Sequence, residues 1–316
     1  MAAAPRTVLI SGCSSGIGLE LAVQLARDPR QRYKVVATMR DLGKKGPLEA
    51  AAGEVLGQTL TVAQLDVCSD ESVAQCLSSI QGGEVDVLVN NAGVGLVGPL
   101  EGISTAAMQN VFDTNFFGTV RLVKAVLPAM KRRRQGHIVV VSSVMGLQGV
   151  VFNDIYAASK FALEGFFESL AIQLLQFNIF ISLVEPGPVI TEFEGKLLAQ
   201  VSAAEFPGTD PETLCYFRDL YLPASRDLFR SVGQSPQAVV QAIVKVINSS
   251  RPPLRRQTNV RYSPLTMLKA VDPSGRLYVL SSHRLLFRWP RLLNLGLRCL
   301  ACGCLRSQVS PDPPHP

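Results

Sequence analysis

Residues 7–18 read TVLISGCSSGIG, a short apolar run that ends in a glycine-rich turn. The run predicts a buried strand, and the turn places Gly12, Gly16 and Gly18 at the start of the helix that follows. Without side chains, the backbone of such a turn can approach a pyrophosphate, whose charge then faces the helix N-terminus. Taken alone, the turn leaves a second interpretation open, a tight turn that binds no ligand.

Five further strand-like runs follow, separated by helical stretches. They are KVVATM (34–39), TVAQLDV (61–67), VDVLVNNAG (85–93), HIVVVSS (137–143) and IFISLVEPG (179–187). Continuous apolar strands that alternate with helices are typical of a parallel sheet covered on both faces. The sequence therefore predicts an α/β protein built on a doubly wound parallel sheet.

The predicted domain spans residues 1–250. Within it, a segment at about 188–232 is interrupted by prolines and glycine and is predicted to form a lid over the substrate. RPPLRR at 251–256 is interpreted as a boundary. Beyond it we distinguish a basic, apolar extension over 251–298 and a cysteine-rich and proline-rich tail over 299–316.

The composition is that of a globular protein, since 47% of the 316 residues are hydrophobic and 18% are charged. We identify no secretory signal at the start and no run of about 20 apolar residues that would span a membrane. Four of the seven cysteines are scattered singly, which favours a reducing compartment. The net charge is +6, and between Arg251 and Arg306 eleven Lys or Arg stand against one acid. The basic surface is therefore expected in the C-terminal part.

The end of the second strand bears on cofactor choice. About 20 residues beyond the glycines, a dinucleotide-binding fold contacts either a ribose hydroxyl or a phosphate. Here the strand ends in Met39 and Arg40, and a guanidinium suits a phosphate, which favours NADP over NAD. Asp41 follows directly, and a solvated surface charge is the alternative interpretation of Arg40.

Polar residues cluster after the later strands. NNAG occupies 90–93, Asn115 lies in NFFG, and Ser143 closes the fifth strand. In YAASK, Tyr156 and Lys160 are four residues apart and so share one face of a helix. Because the carboxyl ends of parallel strands converge on one crevice, we expect these side chains to meet there.

These motifs together resemble the short-chain dehydrogenase/reductase family over residues 6 to about 250. The resemblance implies a catalytic tetrad of Asn115, Ser143, Tyr156 and Lys160, and NADP(H) as cofactor. It also implies a cofactor site made of Gly12, Ser14, Ser15, Gly16, Ile17, Gly18, Arg40, Asp66, Asn91, Ala92, Gly93, Tyr156, Lys160, Pro186, Gly187, Val189 and Thr191.

The pair Tyr156 and Lys160 suggests acid–base chemistry. A free tyrosine has a pKa of about 10, and a neighbouring ammonium is expected to lower it. Tyr156 would then protonate a carbonyl oxygen as hydride reaches the carbon, while Ser143 hydrogen-bonds the same oxygen. The resemblance adds two roles: Lys160 binds the nicotinamide ribose, and Asn115 holds a water of the proton relay.

Apolar residues surround the expected crevice mouth, which favours a long hydrophobic carbonyl or alcohol over a sugar. The predicted substrate residues are Ser143, Met145, Phe152, Tyr156, Tyr216 and Leu285. Stretches such as FNDIYAASKFALEGFFESLA resemble the retinol and estrogenic hydroxysteroid branches of the family. The expected reaction is NADPH-dependent reduction of all-trans-retinal at a photoreceptor membrane, with an estrone/estradiol-type steroid as the alternative. Family members are often oligomers, so a homodimer is expected as well.

The segment HRLLFRWPRLLNLGLRCLACGCLR at 283–306 interleaves arginines with leucines and aromatics, as interfacial membrane segments do. Cys299, Cys302 and Cys304 are placed for S-palmitoylation, which predicts a monotopic enzyme on the cytoplasmic face. A zinc site, nucleic-acid binding and a packed helix with free thiols are the alternatives. We expect no metal and no nucleic acid, because a fourth zinc ligand is distant and the leucine density favours lipid.

Two functions from other classes compete with catalysis. A dinucleotide-binding scaffold would bind NADPH without turnover, although the complete tetrad disfavours it. A membrane adaptor acting through residues 251–306 would keep its function after Tyr156→Phe.

Overall fold

Seven parallel strands form one sheet in the computed structural model, which describes residues 4–289. The strands are β1 (Arg6–Ile10), β2 (Tyr33–Met39), β3 (Leu60–Gln64), β4 (Val87–Asn90), β5 (Gly136–Val141), β6 (Ile179–Glu185) and β7 (Arg255–Gln257). They lie in the order β3-β2-β1-β4-β5-β6-β7, and each neighbouring pair is parallel. The predicted doubly wound parallel sheet is confirmed.

Helices cover both faces of the sheet. They are α1 (Gly16–Ala26), α2 (Gly46–Ala52), α3 (Asp70–Ser79), α4 (Thr105–Phe112), α5 (Gly118–Arg133), α6 (Asp154–Leu174), α7 (Glu192–Ala203), α8 (Pro211–Cys215), α9 (Leu222–Val232), α10 (Pro236–Asn248), α11 (Ser263–Val271) and α12 (Arg276–His283). On one face, Leu21 of α1 and Ile243 of α10 belong to the same buried core. On the other, Leu122 of α5 packs with Phe167 of α6. Apolar cores on both faces explain why the strands are continuously apolar.

The strand order reverses at the centre of the sheet. β1 pairs with β2 on one side and with β4 on the other, so consecutive crossovers run in opposite directions. The loops after β1 and β4 therefore diverge at the carboxyl edge. A crevice opens at such a reversal, which is where ligands bind in doubly wound sheets.

The sheet continues beyond the boundary that the sequence suggested at residue 250. Leu183 of β6 pairs with Arg255 of β7, and the Ser182 hydroxyl donates to the carbonyl oxygen of Pro253 at 2.8 Å. Pro253 itself precedes the strand at the sheet edge, where the missing N–H of proline is tolerated. The first residues of the predicted extension therefore belong to the sheet.

The segment 188–232 contains α7, α8, α9 and a π-helical turn at Tyr216–Tyr221. It has its own apolar cluster, centred on the fully buried Phe217. The ring of Phe206 packs edge-on against Phe217 with centroids 5.2 Å apart, and Val97 from the loop after β4 joins the cluster. The helices of the segment predicted as a lid are thus attached to the carboxyl edge of the sheet through Val97.

A histidine at the start of a strand, as His137 is in HIVVVSS, is expected at a surface or edge, yet His137 is buried within β5. Its Nε2 lies 3.1 Å from the Ser182 hydroxyl oxygen on β6. Burial, with a contribution from the charge of Arg6, lowers the pKa of His137 to about 4. The imidazole is therefore neutral and structural, and the expectation was wrong because β5 lies between β4 and β6.

The predicted lipidation sites Cys299, Cys302 and Cys304 lie outside the described residues, as does the segment from 290 onward. Among residues 4–289, none of the helices combines the length and apolar character needed to cross a bilayer.

Candidate active site

The glycine-rich turn after β1 packs directly against the loop after β4. Gly12 has a φ of +74°, and a Cβ there would lie 2.8 Å from the Cα of Ala92. A Cβ on Gly18 would lie 2.3 Å from the carbonyl oxygen of Gly12. A larger residue at either position would force the backbone segments apart. The turn thus forms an open backbone cradle of the kind that accommodates a pyrophosphate.

Asn91 fixes the loop after β4 to this cradle. Its Nδ2 donates to the carbonyl oxygens of Ser11, at 3.0 Å, and Gly12, at 2.9 Å. In return, the hydroxyl oxygen of Ser11 accepts from the main-chain N–H groups of Asn91 and Ala92, both at 3.0 Å. These four hydrogen bonds hold the shape of the cradle independently of any ligand.

A cleft of about 610 Å³ follows the carboxyl edge of the sheet, a volume typical of small-molecule sites. The predicted cofactor residues that line it are Gly12, Ser14, Ser15, Gly16, Ile17, Arg40, Asp66, Asn91, Ala92, Gly93, Tyr156, Lys160, Pro186, Gly187, Val189 and Thr191. Gly18 is not among the lining residues. It lies in the first turn of α1 and serves the close packing described above.

Arg40 lines the cleft with an exposed side chain. The carboxylate of the adjacent Asp41 has other partners, because its Oδ1 accepts from the N–H of Gly43 at 2.9 Å and its Oδ2 lies 3.9 Å from Nζ of Lys44. Arg40 forms no ion pair with any side chain that the structure describes. Its guanidinium is therefore available to a phosphate, which is the geometry that favours NADP.

Asn115 lies in a π-helical turn, Asp113–Phe117, between α4 and α5. Its Oδ1 accepts from the N–H of Val94 at 2.8 Å, and its Nδ2 donates to the Val94 carbonyl and to Oγ of Ser159, both at 3.0 Å. The side chain is buried and does not line the cleft. Both amide hydrogens are therefore used, and the main-chain carbonyl of Asn115 accepts from Oγ1 of Thr119 at 2.8 Å, so the predicted role in holding a water stays a prediction.

Ser143, Tyr156 and Lys160 face the same part of the cleft. The Ser143 Oγ accepts from the N–H of Met145 at 3.1 Å, which leaves its O–H free to donate elsewhere. Lys160 is buried, and its Nζ donates to the carbonyl oxygen of Val141 at 3.0 Å. The same Nζ lies 5.5 Å from the centre of the Tyr156 ring. The helical spacing therefore does bring the phenol and the ammonium together.

Their protonation runs opposite to the expectation from the sequence. Burial raises the pKa of Tyr156, the charge of Glu194 raises it further, and a hydrogen bond with Ser143 opposes both. Burial lowers the pKa of Lys160 to about 8, against the opposing charge of Glu164. Desolvation of both groups outweighs their interaction. Tyr156 is thus a protonated phenol, the form that can donate a proton.

Three predicted substrate residues, Ser143, Met145 and Tyr156, line the cleft. Phe152 does not. Its ring packs beneath the lid, with centroids 5.0 Å from Phe217, in a backbone conformation of φ +59°. The apolar side chain seen in the sequence is used for packing.

Tyr216 and Leu285 also lie outside the cleft lining. The Tyr216 hydroxyl donates to Oε1 of Glu212 at 2.9 Å, and its ring packs against Phe287. The cleft is lined by Leu286 instead of Leu285. Both leucines lie in a π-helical turn, Arg284–Arg288, where adjacent side chains point in different directions, which accounts for the exchange.

Several lining residues were missed by the sequence analysis. They are Glu194, Tyr221, Ala224, Ser225, Leu228, Phe229, Tyr262 and Leu286. Tyr221, Ala224, Ser225 and Leu228 follow the spacing i, i+3, i+4 and i+7, so one face of a helix around α9 turns toward the cleft. This spacing can be read from the sequence and could have identified these four residues as one helix face.

Comparisons with known proteins agree with this geometry. A family model described as short chain dehydrogenase matches residues 6–202. Retinol dehydrogenase 8 of Bos taurus and of Homo sapiens are each 86% identical over 311 residues, covering 98% of this chain and all of theirs. The 17-beta-hydroxysteroid dehydrogenase type 1 of Homo sapiens is 46% identical and covers 90% of this chain and 87% of its own.

A solved structure of an actinorhodin polyketide ketoreductase with NADPH superposes with a TM-score of 0.68 at 26% identity. The match covers 80% of this chain and 95% of that one. Family model, relatives and fold agree, and the chain belongs to the short-chain dehydrogenase family.

Proposed function

We propose that this protein is an NADP(H)-dependent oxidoreductase that reduces all-trans-retinal to all-trans-retinol and also catalyses the reverse reaction. The observation that carries the proposal is a single cleft in which the glycine-rich cradle, the Ser143–Tyr156–Lys160 group and an apolar lid meet. The relatives named retinol dehydrogenase 8 support the retinoid substrate.

The cradle at 12–17 would hold the pyrophosphate of the cofactor, and Asp66 would lie near the adenine. Arg40 would bind the additional phosphate that distinguishes NADP from NAD. When bound, NADPH supplies the hydride for the carbonyl carbon. The ketoreductase with NADPH supports this cofactor.

Side chains of the protein supply the proton and stabilise the charges that form during its transfer. Tyr156 is protonated and donates its proton to the carbonyl oxygen. Ser143, which hydrogen-bonds Tyr156 in the absence of substrate, would turn its O–H to the same carbonyl oxygen as charge develops there. Lys160, a cation below a pH of about 8, then stabilises the phenolate that remains. Asn115 ties α6 to the loop after β4 and so positions the pair.

The inner wall of the cleft suits a polyene. Leu197, Leu198, Leu228 and Phe229 line it, and Gly95 in the loop after β4 leaves room for the lid helix. Such a surface binds by exclusion of water and offers few polar contacts beyond the reacting end.

A hydroxysteroid is the second candidate substrate. The 46% identity to a 17-beta-hydroxysteroid dehydrogenase supports it, and an apolar cleft would also accept a flat steroid. Both candidate substrates would use the same catalytic residues and the same cofactor. Only a comparison of their turnover rates can therefore distinguish them.

We further propose attachment to the cytoplasmic face of a photoreceptor membrane through the C-terminal part. The described portion of this region exposes Val260, Met267, Val271 and Val279 by more than half, and these apolar side chains would contact lipid in such an arrangement. Palmitoylation of Cys299, Cys302 and Cys304 would strengthen the attachment. A homodimer through α5 and α6 would cover the exposed Ile172.

The direct test is reduction of all-trans-retinal by the purified protein in detergent or lipid, with retinol as the readout. We expect turnover with NADPH, slower turnover with NADH, and none with Tyr156→Phe. Estrone is assayed with the same preparation. Turnover of estrone alone would replace the retinoid proposal with the steroid one, and turnover of neither would contradict both.

A further inference from the structure

The proposed chemistry leaves one charged residue of the cleft unused, Glu194 in the first turn of α7. Among the described lining residues, the charged side chains are those of Arg40, Asp66, Lys160 and Glu194. Arg40 and Asp66 follow β2 and β3, at the end of the cleft assigned to the adenosine. Glu194 therefore supplies the acidic group at the reacting end.

The surroundings of Glu194 are apolar. Phe193, Leu197 and Leu198 from the same helix line the cleft beside it. The helix lies close against the loop after β4, where a Cβ on Gly95 would come within 2.7 Å of Cδ2 of Leu197. The carboxyl group is thus held at the cleft wall by the packing of α7.

Glu194 lacks a compensating partner among the described side chains. Its neighbour Glu192 pairs with Lys196 at 2.8 Å, whereas the Glu194 carboxyl group has no hydrogen bond or ion pair with the side chains that the structure describes, which exclude those of residues 261, 264, 265 and 270. Its negative charge acts on the hydroxyls of Tyr156 and Tyr221, and burial raises its own pKa to about 7. Burying a carboxylate that has no hydrogen-bond or ion-pair partner costs free energy, and this cost is the reason to look for a function of Glu194.

We propose that Glu194 is a specificity-determining residue that rejects lipophilic carboxylates from the reacting end of the cleft. This inference rests on the proposed function. The head group of any substrate must reach Tyr156 and Ser143, so a carboxylate bound in this way would bring a second negative charge near Glu194 in a poorly solvated space. An aldehyde or alcohol is neutral and meets no such repulsion. The enzyme would therefore bind the aldehyde and alcohol of its substrate skeleton in preference to the acid.

The same charge favours the reductive reaction, because it helps to keep Tyr156 protonated. Lys160 is the nearest described cation of the catalytic group, and its Nζ is already engaged by the Val141 carbonyl. It therefore offers an incoming carboxylate only partial compensation.

The test compares equilibrium binding of all-trans-retinoic acid and all-trans-retinol to the enzyme complexed with NADPH, at pH 8, where Glu194 is ionised. Glu194→Gln should bind the acid on the order of tenfold more tightly than the wild type, with retinol affinity unchanged. Glu192→Gln is the matched control, since it removes the same charge from the same helix at an exposed position, and it should change neither affinity.

Equal affinities for the acid in wild type and Glu194→Gln would overturn the inference, as would an equal gain in Glu192→Gln. If Glu194→Gln fails to bind NADPH, Glu194→Met provides the same comparison. Reduction of all-trans-retinal by the wild type tests the proposed function separately. The inference about Glu194 is tested by the ratio of the affinities for all-trans-retinoic acid and all-trans-retinol.

Discussion

The Nζ of Lys160 donates to the carbonyl oxygen of Val141 at 3.0 Å while lying 5.5 Å from the centre of the Tyr156 ring. The main chain of β5 thus orients the ammonium, and the phenol is its neighbour on the same helix face. Burial of this cation is unfavourable, as its lowered pKa of about 8 indicates. Its position beside Tyr156 gives the unfavourable burial a function, because a phenolate formed there would be stabilised at once.

Lys160→Met should therefore inactivate the enzyme and stabilise the fold at pH 7. The pKa of Lys160 is about 8 in the folded protein and 10.5 for the free group. The charged lysine therefore lowers the free energy of unfolding. That penalty is full below pH 8 and disappears by about pH 10.5. We expect a gain of about 1–2 kcal/mol at pH 7 that shrinks across this range, measured by denaturant unfolding beside the wild type.

Retinal turnover of Lys160→Met should fall by about a hundredfold or more, since phenolate stabilisation is lost. Circular dichroism serves as the control for folding, because Lys160 itself lines the cofactor cleft. If Lys160→Met were less stable than the wild type at pH 7, burial of the charged lysine would not be destabilising, and this account would be wrong.

Arg40→Ala should weaken NADPH binding by about ten- to a hundredfold and leave NADH binding nearly unchanged, because only NADPH carries the phosphate that the guanidinium would meet. KM values for both cofactors provide the measurement. Lys44→Ala is the control, as this exposed lysine lies near Asp41 and outside the cleft lining. An equal loss of affinity for NADPH and NADH would show that Arg40 does not bind the additional phosphate of NADPH.

The sequence predicted the parts of the site that depend on local spacing. The glycines after β1 and the four-residue interval between Tyr156 and Lys160 are local patterns, and the structure brings both to one cleft. The raised pKa of Tyr156 was missed because it arises from burial and from Glu194, which is distant in sequence. Likewise, β7 has only three residues and is defined by pairing with β6 rather than by its own pattern.

The wall contributed by the lid was predicted least well. Tyr216 and Phe152 are aromatic and near the cleft in sequence, yet their rings pack against Phe287 and Phe217 respectively. Which apolar side chains face a ligand and which face each other depends on how the lid helices dock on the sheet. Hydrophobicity alone carries no information about that choice.

Arg255 links the edge strand β7 to two buried acids, Glu164 and Glu185, and to the exposed Glu168. Its Nε lies 3.1 Å from Oε2 of Glu164 and 3.5 Å from Oε1 of Glu185, and its Nη2 lies 2.5 Å from Oε2 of Glu168. Burial raises the pKa of Glu164, and burial together with the Glu164 charge raises that of Glu185 to about 8. Arg255 opposes both shifts.

Arg255→Met should destabilise the protein by about 3 kcal/mol, because removing one partner leaves buried carboxyl groups uncompensated. Folding raises the pKa of these acids, so they are tolerated while protonated and become unfavourable as the pH rises from 4.5 through about 8. The loss relative to the wild type should thus be larger at pH 9 than at pH 5. Arg256→Met, at an exposed position of the same strand, is the control in denaturant unfolding. A loss independent of pH would contradict this account.

Substitutions at Ala224 and Tyr216 test which of these two residues contacts the substrate. Ala224 lines the cleft on α9, whereas Tyr216 lies outside it and hydrogen-bonds Glu212. Ala224→Phe should fill part of the substrate volume and lower kcat/KM for all-trans-retinal by about tenfold or more, with NADPH binding unchanged, because the added ring would displace substrate rather than cofactor. Tyr216→Phe removes only the surface hydrogen bond and should leave kcat/KM within about twofold of the wild type. The reverse pattern, with Tyr216→Phe impaired and Ala224→Phe normal, would place Tyr216 in the substrate site and assign Ala224 to packing.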